Sequence, residues 1–392
     1  MDPVRQYAPN PNVVERLSLN FLRGRIDREQ SHIHRWSQCE LAQIKRIERS
    51  AIGLAALAGA VSGGILGGVE MGLDRWLLGG VEAMSGGQLL TYWSIYIGLA
   101  VLISGAEVLY LYWNVLREVA RISSIAGLRL SSADIEEVMA RGLSRAALEL
   151  PNPQAPVYGI DPYVRVPRWR LLTYTLLYRL KIGATSFILR VLLRRVLARS
   201  ALRVFIPLIG IPVYAVWNSV ITRWVMRESR IRAACPLVAQ ELGEWIAAER
   251  TYLNEESRWL ILRGVGEAII RSEDAHPNFV LLLARLFREL DIPPHSLQID
   301  WQSDRIRLKE LDPRAQNVLL SSLTLAVMID GRVRKAEKDF LQEAHVRCGR
   351  SFRAEALSEL QGEFFNGQGI SEKYMRAVGA RSEDQPFTQT PV

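Results

Sequence analysis

The chain has 392 residues, with 49 Lys and Arg against 41 Asp and Glu, and so a formal charge of +8. That length has room for two or three domains and excludes both a disordered chain and a miniature scaffold. Hydrophobic residues make up 49% and charged residues 23%, which is apolar for a charge-balanced soluble enzyme and too polar for a many-span transporter, so the apolar character must be local.

Charge is also local. Residues 1–50 carry +3, 51–113 carry −3, 114–235 carry +12 and 236–392 carry −4. A basic middle beside an apolar stretch points to anionic lipid head groups, each Lys or Arg near such a surface contributing about 1 kcal/mol. Nucleic acid is not expected: the basic residues alternate with Leu, Val and Ile, and no helix-turn-helix, RNA-recognition or zinc-finger pattern occurs. Cys39, Cys235 and Cys348 lie far apart without a CxxC pair, so reduced thiols are expected.

In chain order, residues 1–49 read as a cytosolic helical segment. They are too polar to hold a cleaved signal peptide. Residues 50–113 then read as a transmembrane hairpin. Ser50 to Val69 is a run of 20 residues without charge, and Ala83 to Ala106 one of 24; either crosses an apolar layer about 30 Å thick. Lys45, Arg46 and Arg49 precede the first run and Arg117, Arg121 and Arg129 follow the second, with Arg75 alone basic in the loop between. Both flanks, and with them both termini, are therefore expected in the cytoplasm, at the bacterial inner membrane. Gly59, Gly63 and Gly67 recur at spacing four, as do Gly64, Gly68 and Gly72. Such a stripe lets helix backbones approach closely, predicting packing on the second span or on another copy in a homo-oligomer. Glu70 and Glu107 are placed at opposite ends of the hairpin as interfacial carboxylates.

Residues 114–149 are expected as cytosolic helices and 150–168, rich in Pro and Gly, as an interdomain linker. From 169 to 235 a basic, apolar, membrane-apposed helical middle is predicted. Its arginines include Arg190, Arg194, Arg195, Arg199, Arg203, Arg223 and Arg227 as lipid contacts. Val204 to Thr222 is uncharged over 19 residues, with arginines at both ends. A re-entrant or interfacial pair of helices bent at Pro207, Gly210 and Pro212 is preferred to a third crossing. The sequence Ile206-Pro207-Leu208-Ile209-Gly210, then Asn218, then Thr222-Arg223, resembles EcsC-like domains and YcjF-type inner-membrane proteins. That resemblance implies membrane association.

Residues 236–380 read as a soluble helical bundle with apolar residues at helical spacing. Asp312-Pro313 caps one helix and Gly331 ends it. Leu297–Ile299 and Arg305–Leu308 are the sole candidates for a short hairpin. The segment Leu325-Ala326-Val327-Met328-Ile329-Asp330-Gly331-Arg332-Val333, with Glu337 and Phe340-Leu341 after it, resembles TerB-like domains. The resemblance implies an interaction domain in a membrane-linked stress response, with Asp330 and Glu337 as candidate divalent-metal ligands. Read from the residues alone, the two carboxylates are helix caps facing each other across a turn. Residues 381–392 are a frayed tail. No Gly-Lys dipeptide, HExxH or GxSxG motif occurs, and no cofactor is implied beyond that possible metal. The fold class is thus all-α: transmembrane hairpin, membrane-apposed middle and cytosolic TerB-like bundle. The expected function is that of a non-enzymatic membrane adaptor with a protein partner on its C-terminal domain. A transport or channel component and a lipid-acting enzyme are the alternatives.

Overall fold

Caps written into the sequence set most of the helix starts. In a computed structural model, which describes residues 11–26, 32–76, 86–130, 134–152, 155–173, 206–294 and 297–381, helix α1 (Val13–Arg25) opens on a reciprocal capping box. Asn12 Oδ1 accepts from the Glu15 N–H at 2.8 Å, and Glu15 Oε2 accepts from the Asn12 N–H at 3.0 Å. Two long helices follow, α2 (Gln38–Trp76) and α3 (Gly86–Ile125), then α4 (Asp134–Ala147) and the 44-residue α5 (Ile206–Glu249). Seven shorter helices complete the series: α6 (Glu255–Ser272), α7 (Pro277–Glu289), α8 (Trp301–Arg307), α9 (Pro313–Met328), α10 (Lys335–Arg347), α11 (Ala354–Phe365) and α12 (Glu372–Val378). Asn254, His276, Asp300 and Asp312 cap α6 to α9, and Pro277 and Pro313 occupy first-turn positions where no backbone donor is required. Among the described residues there is no strand, only an isolated bridge between Val157 and Ile160.

The chain divides into two compact units. One comprises residues 1–44, 120–166 and 228–392; the other comprises 45–119 and 167–227.

The first unit is built on α6 and α9. Gly264 lets α6 come so close to α9 that an added Cβ would lie 3.0 Å from a Leu323 methyl. Leu260, Ile261, Val265 and Ile269 on one helix and Leu319, Leu320, Leu323 and Val327 on the other are fully buried. Removing any one of these side chains costs about 2–5 kcal/mol. Around this pair pack α7, through Phe279, Leu282, Leu283 and Leu286, and α10, through Phe340 and Leu341. Helix α4 lies against α1 and is tied to it by Arg145–Glu15 at 2.5 Å, by an Arg23–Glu137 pair and by a Ser18–Ser144 hydroxyl contact.

The second unit consists of the apolar parts of α2 and α3 with the first half of α5. Asn114 Nδ2 donates to Ala51 O at 3.1 Å, and Asn218 Nδ2 donates to Glu107 Oε1 at 2.6 Å. Gly59 faces Tyr214 and Asn218 while Gly63 faces Gly210 and Ile211. Helix α2 is therefore antiparallel to both α3 and α5.

Four expectations are corrected. Residues 155–166 are not a free linker. Val157, Tyr158, Ile160 and Val166 are buried, Tyr158 packs on Phe287 with ring centroids 4.9 Å apart, and Arg165 makes a bidentate pair with Glu267 at 2.8 and 2.9 Å. Turn-forming residues here shape a packed segment. The candidate hairpin is absent: residues 305–307 close α8, whose Asp300 cap accepts from Ser303. Pro207, Gly210 and Pro212 do not separate a pair of helices either, because α5 runs through all three. Pro236, expected at a domain start, also lies inside α5.

Candidate functional site

Two polar clusters stand out against their surroundings, one in each unit. In the second unit the small residues of α2 are the first determinant. A Cβ at Gly59 would come within 2.5 Å of Tyr214 O, and one at Gly63 within 2.8 Å of the Tyr214 ring. These two glycines seat α5, not the second span or another copy. Gly67 is buried, Gly64 meets only an Ile211 methyl at 3.9 Å, and Gly68 and Gly72 meet nothing within 4 Å. Close approach at Gly59 brings the Asn218 amide to the Glu107 carboxylate. Glu107 and Asn218 are each 7% exposed. Glu107 is thus enclosed by protein. Seven residues separate it from Asn114, placing it about 10 Å along α3 from the Asn114–Ala51 contact. A carboxylate there gains about 1.5–3 kcal/mol from a charge-assisted donor that replaces water. Sequence reading missed the pairing because the partners are 111 residues apart; Asn218 amid apolar residues was the available signal.

In the first unit the turn between α9 and α10 is the centre. Gly331, at φ +79°, packs its backbone on the Ile231 side chain and leaves no room for a Cβ. Asp330 Oδ1 accepts from the Arg332 N–H at 2.8 Å and Oδ2 from the Arg334 guanidinium at 3.2 Å. Glu337 Oε2 accepts from the Arg334 N–H at 2.7 Å, whereas Oε1 is buried without a hydrogen bond. Burial raises the Asp330 carboxyl to about 6, although His276 and Arg334 oppose the shift. Burial and then the neighbouring Asp330 charge raise Glu337 to about 8. The two therefore hold a proton between them at neutral pH.

Next to this turn lies a network that sequence reading did not find. His276 Nε2 meets Glu228 Oε1 at 2.7 Å, and Arg232 donates to the same oxygen at 2.8 Å. Burial disfavours the Glu228 charge, but Arg232 and His276 together outweigh it and hold the carboxyl well below its usual range. Arg232 also donates to Gly142 O and to Asn152, and Asn152 donates to Asp274 Oδ1 at 2.9 Å. Asn278 Nδ2 closes the arrangement on Ile329 O at 2.7 Å. The legible signals were the i,i+4 pair Glu228/Arg232 on one helix and the His-Pro pair that starts another.

The chain matches no protein-family model, no curated protein and no solved structure.

Chemically, the α9–α10 turn is a buried acid pair with capping duties. Both Asp330 oxygens are engaged, and among the described residues no group of three or more His, Cys, Asp or Glu is placed to hold a metal ion. Asp330 and Glu337 would supply two carboxylate ligands at most. Of the predicted lipid-contacting arginines, Arg223 and Arg227 are exposed on α5; Arg190, Arg194, Arg195, Arg199 and Arg203 lie outside the described residues, as does the tail from 382 onward. Pro207 is placed by its backbone, Gly210 is buried, and Pro212 is exposed. His34 pairs with Glu40 on the surface.

Proposed function

We propose that this protein is a non-enzymatic membrane adaptor, anchored by the second unit and presenting the first unit, a helical domain of TerB-like type, to a protein partner in the cytoplasm. The observation that carries the reading is the inverted polarity of the second unit. Two of its helices, α2 over residues 38–73 and α3 over 86–125, are long and apolar enough to cross a membrane. Their outward side chains are apolar: Leu57, Leu102, Leu109 and Val216 are 59–72% exposed. Inward ones include Ser62, Glu107, Asn114, Asn218 and Thr222. Burying polar groups while exposing Leu and Val is costly in water and favourable in lipid. Val220 and Trp224 of α5 are exposed as well, which supports placing the first half of α5 against lipid beside the hairpin. Basic residues at the ends of the two runs favour cytoplasmic flanks, and a bacterial inner membrane is the setting that fits. Arg223 and Arg227 then lie where anionic head groups are within reach.

Alkaline carbonate extraction of membranes tests the anchor. Full-length protein is expected to stay in the pellet; release into the supernatant would sink the proposal.

The buried Glu107–Asn218 contact favours a second reading, a transport component, since ionisable groups inside a membrane are commonly functional. In liposomes reconstituted with the full chain, the adaptor reading expects no ion flux. A flux that disappears in Glu107→Gln would replace it with the transport reading.

A further inference from the structure

One cleft of the first unit has five cations and no acid in its lining, with Glu372 paired to one of them from behind. It has a volume of about 570 Å³, and its charged lining consists of Arg350, Arg353, Lys373, Arg376 and Arg381. This stands out because residues 236–392 carry a net charge of −4.

The cleft is assembled by two loops locked side by side. One follows α10 and the other follows α12. The Arg353 N–H donates to Val378 O at 3.3 Å, and Gly379, at φ +92°, packs directly on Ser351 O, where any side chain would clash. Residues 25 and 28 positions apart thereby converge. Three of the five cations are held from behind. Arg350 Nη1 donates to Asn317 Oδ1 at 2.5 Å and to Ala380 O at 3.3 Å. Arg376 is paired with Glu372 at 2.5 Å. Arg381 lies over the Trp245 ring, 3.9 Å from its centroid. The other two are exposed at the rim. Among the described residues the Arg353 side chain makes no ion pair or hydrogen bond, and Lys373 touches only the Tyr374 ring, at 5.2 Å.

Cations that share a cleft repel one another. Burial brings the Arg381 guanidinium down to about 10, with the Arg376 charge adding to it and Glu372 and Glu249 opposing it. A set of cations held in place against their own repulsion, with two side chains left uncommitted, is arranged for an anion. Arginine forks match the oxygens of a phosphate group two at a time, and such charge-assisted bonds are roughly twice as strong as neutral ones. The cleft volume falls within the range of small-molecule sites.

We propose that this cleft binds a phosphate group, carried by a small phosphorylated molecule or by a lipid head group, with Arg350, Arg376 and Arg381 as the fixed floor and Arg353 and Lys373 as the closing pair. The assignment is independent of the adaptor reading, since it concerns a surface of the first unit alone.

The test uses the full chain in nanodiscs of neutral phosphatidylcholine, titrated calorimetrically with inorganic pyrophosphate. A second set of nanodiscs contains phosphatidic acid, with the bound lipid quantified after purification. Saturable binding of either probe at physiological chloride, weakened tenfold or more in Arg353→Glu/Lys373→Glu, supports the proposal. The pyrophosphate arm identifies a free phosphate and the phosphatidic acid arm a head group. The two substituted side chains anchor nothing in the fold, so the unfolding midpoint of the variant is expected to match the wild type. Absence of binding in both arms overturns the proposal, as does binding that the double substitution leaves unchanged.

Discussion

Glu337 places a carboxyl where water does not reach and then uses half of it as a helix cap. With its folded pKa raised to about 8, the native state holds a proton more tightly than the unfolded chain, whose carboxyl titrates near 4.5. Its contribution to stability is therefore fully present below about 4.5 and is lost as pH rises through 8. Glu337→Gln keeps an acceptor for the Arg334 N–H but removes the titration. The variant is expected to gain about 1–2 kcal/mol over wild type at pH 9 relative to pH 5, measured by chemical unfolding in detergent at both values. Equal pH slopes would show that the carboxyl is not buried as described. His345 runs the other way: burial lowers it to about 4, so its share is complete above 6.5 and is lost as pH falls toward 4. Asn218→Leu is expected to cost about 1–3 kcal/mol by leaving Glu107 without its donor, read as a lower unfolding midpoint. The facing of Asp330 and Glu337 was legible from the spacing around Gly331. The Glu107–Asn218 contact was not legible, because its partners are 111 positions apart and no local spacing links them.

Periodicity and apolar length were enough to predict α2, α3 and the packed face of α6. They could not say which helix would lie against the glycine stripe. The answer depends on α5, whose Gly210, Tyr214, Asn218 and Thr222 at spacing four form the face turned inward. Gly59→Leu is expected to displace α5 and destabilise the protein severely, while Gly68→Leu is expected to be tolerated, since nothing lies within 4 Å of that position. Comparable yields of folded, monodisperse protein from both variants would count against the packing. The breakers in α5 misled for a physical reason. Proline disfavours a helix interior but does not forbid it where packing outweighs the lost bond, and Pro212 and Pro236 both lie inside α5. The Pro-rich stretch 150–168 misled likewise, because its anchors, Glu267 and Phe287, lie more than 100 residues downstream.

For the whole molecule, the +8 charge dissolves into unlike parts: basic flanks on either side of the apolar helices, and an acidic C-terminal region that nonetheless keeps a cationic cleft. Thiol chemistry offers a direct check on the arrangement. Cys39 is exposed, Cys235 is fully buried with its thiol pushed up by burial, and Cys348 is half-buried. A membrane-impermeant maleimide is expected to label Cys39 in broken but not intact cells, and to reach Cys235 only after denaturation. Labelling of Cys39 in intact cells would reverse the proposed orientation. The unit limits at 44/45, 119/120 and 227/228 each fall inside a helix, α2, α3 and α5 respectively. No truncation at those limits leaves every helix whole, and a fragment starting at 236 would lack α1, α4 and the segment around Tyr158 that complete the first unit's core. The first unit is therefore not a contiguous module: cutting it out at those limits divides helices α2, α3 and α5.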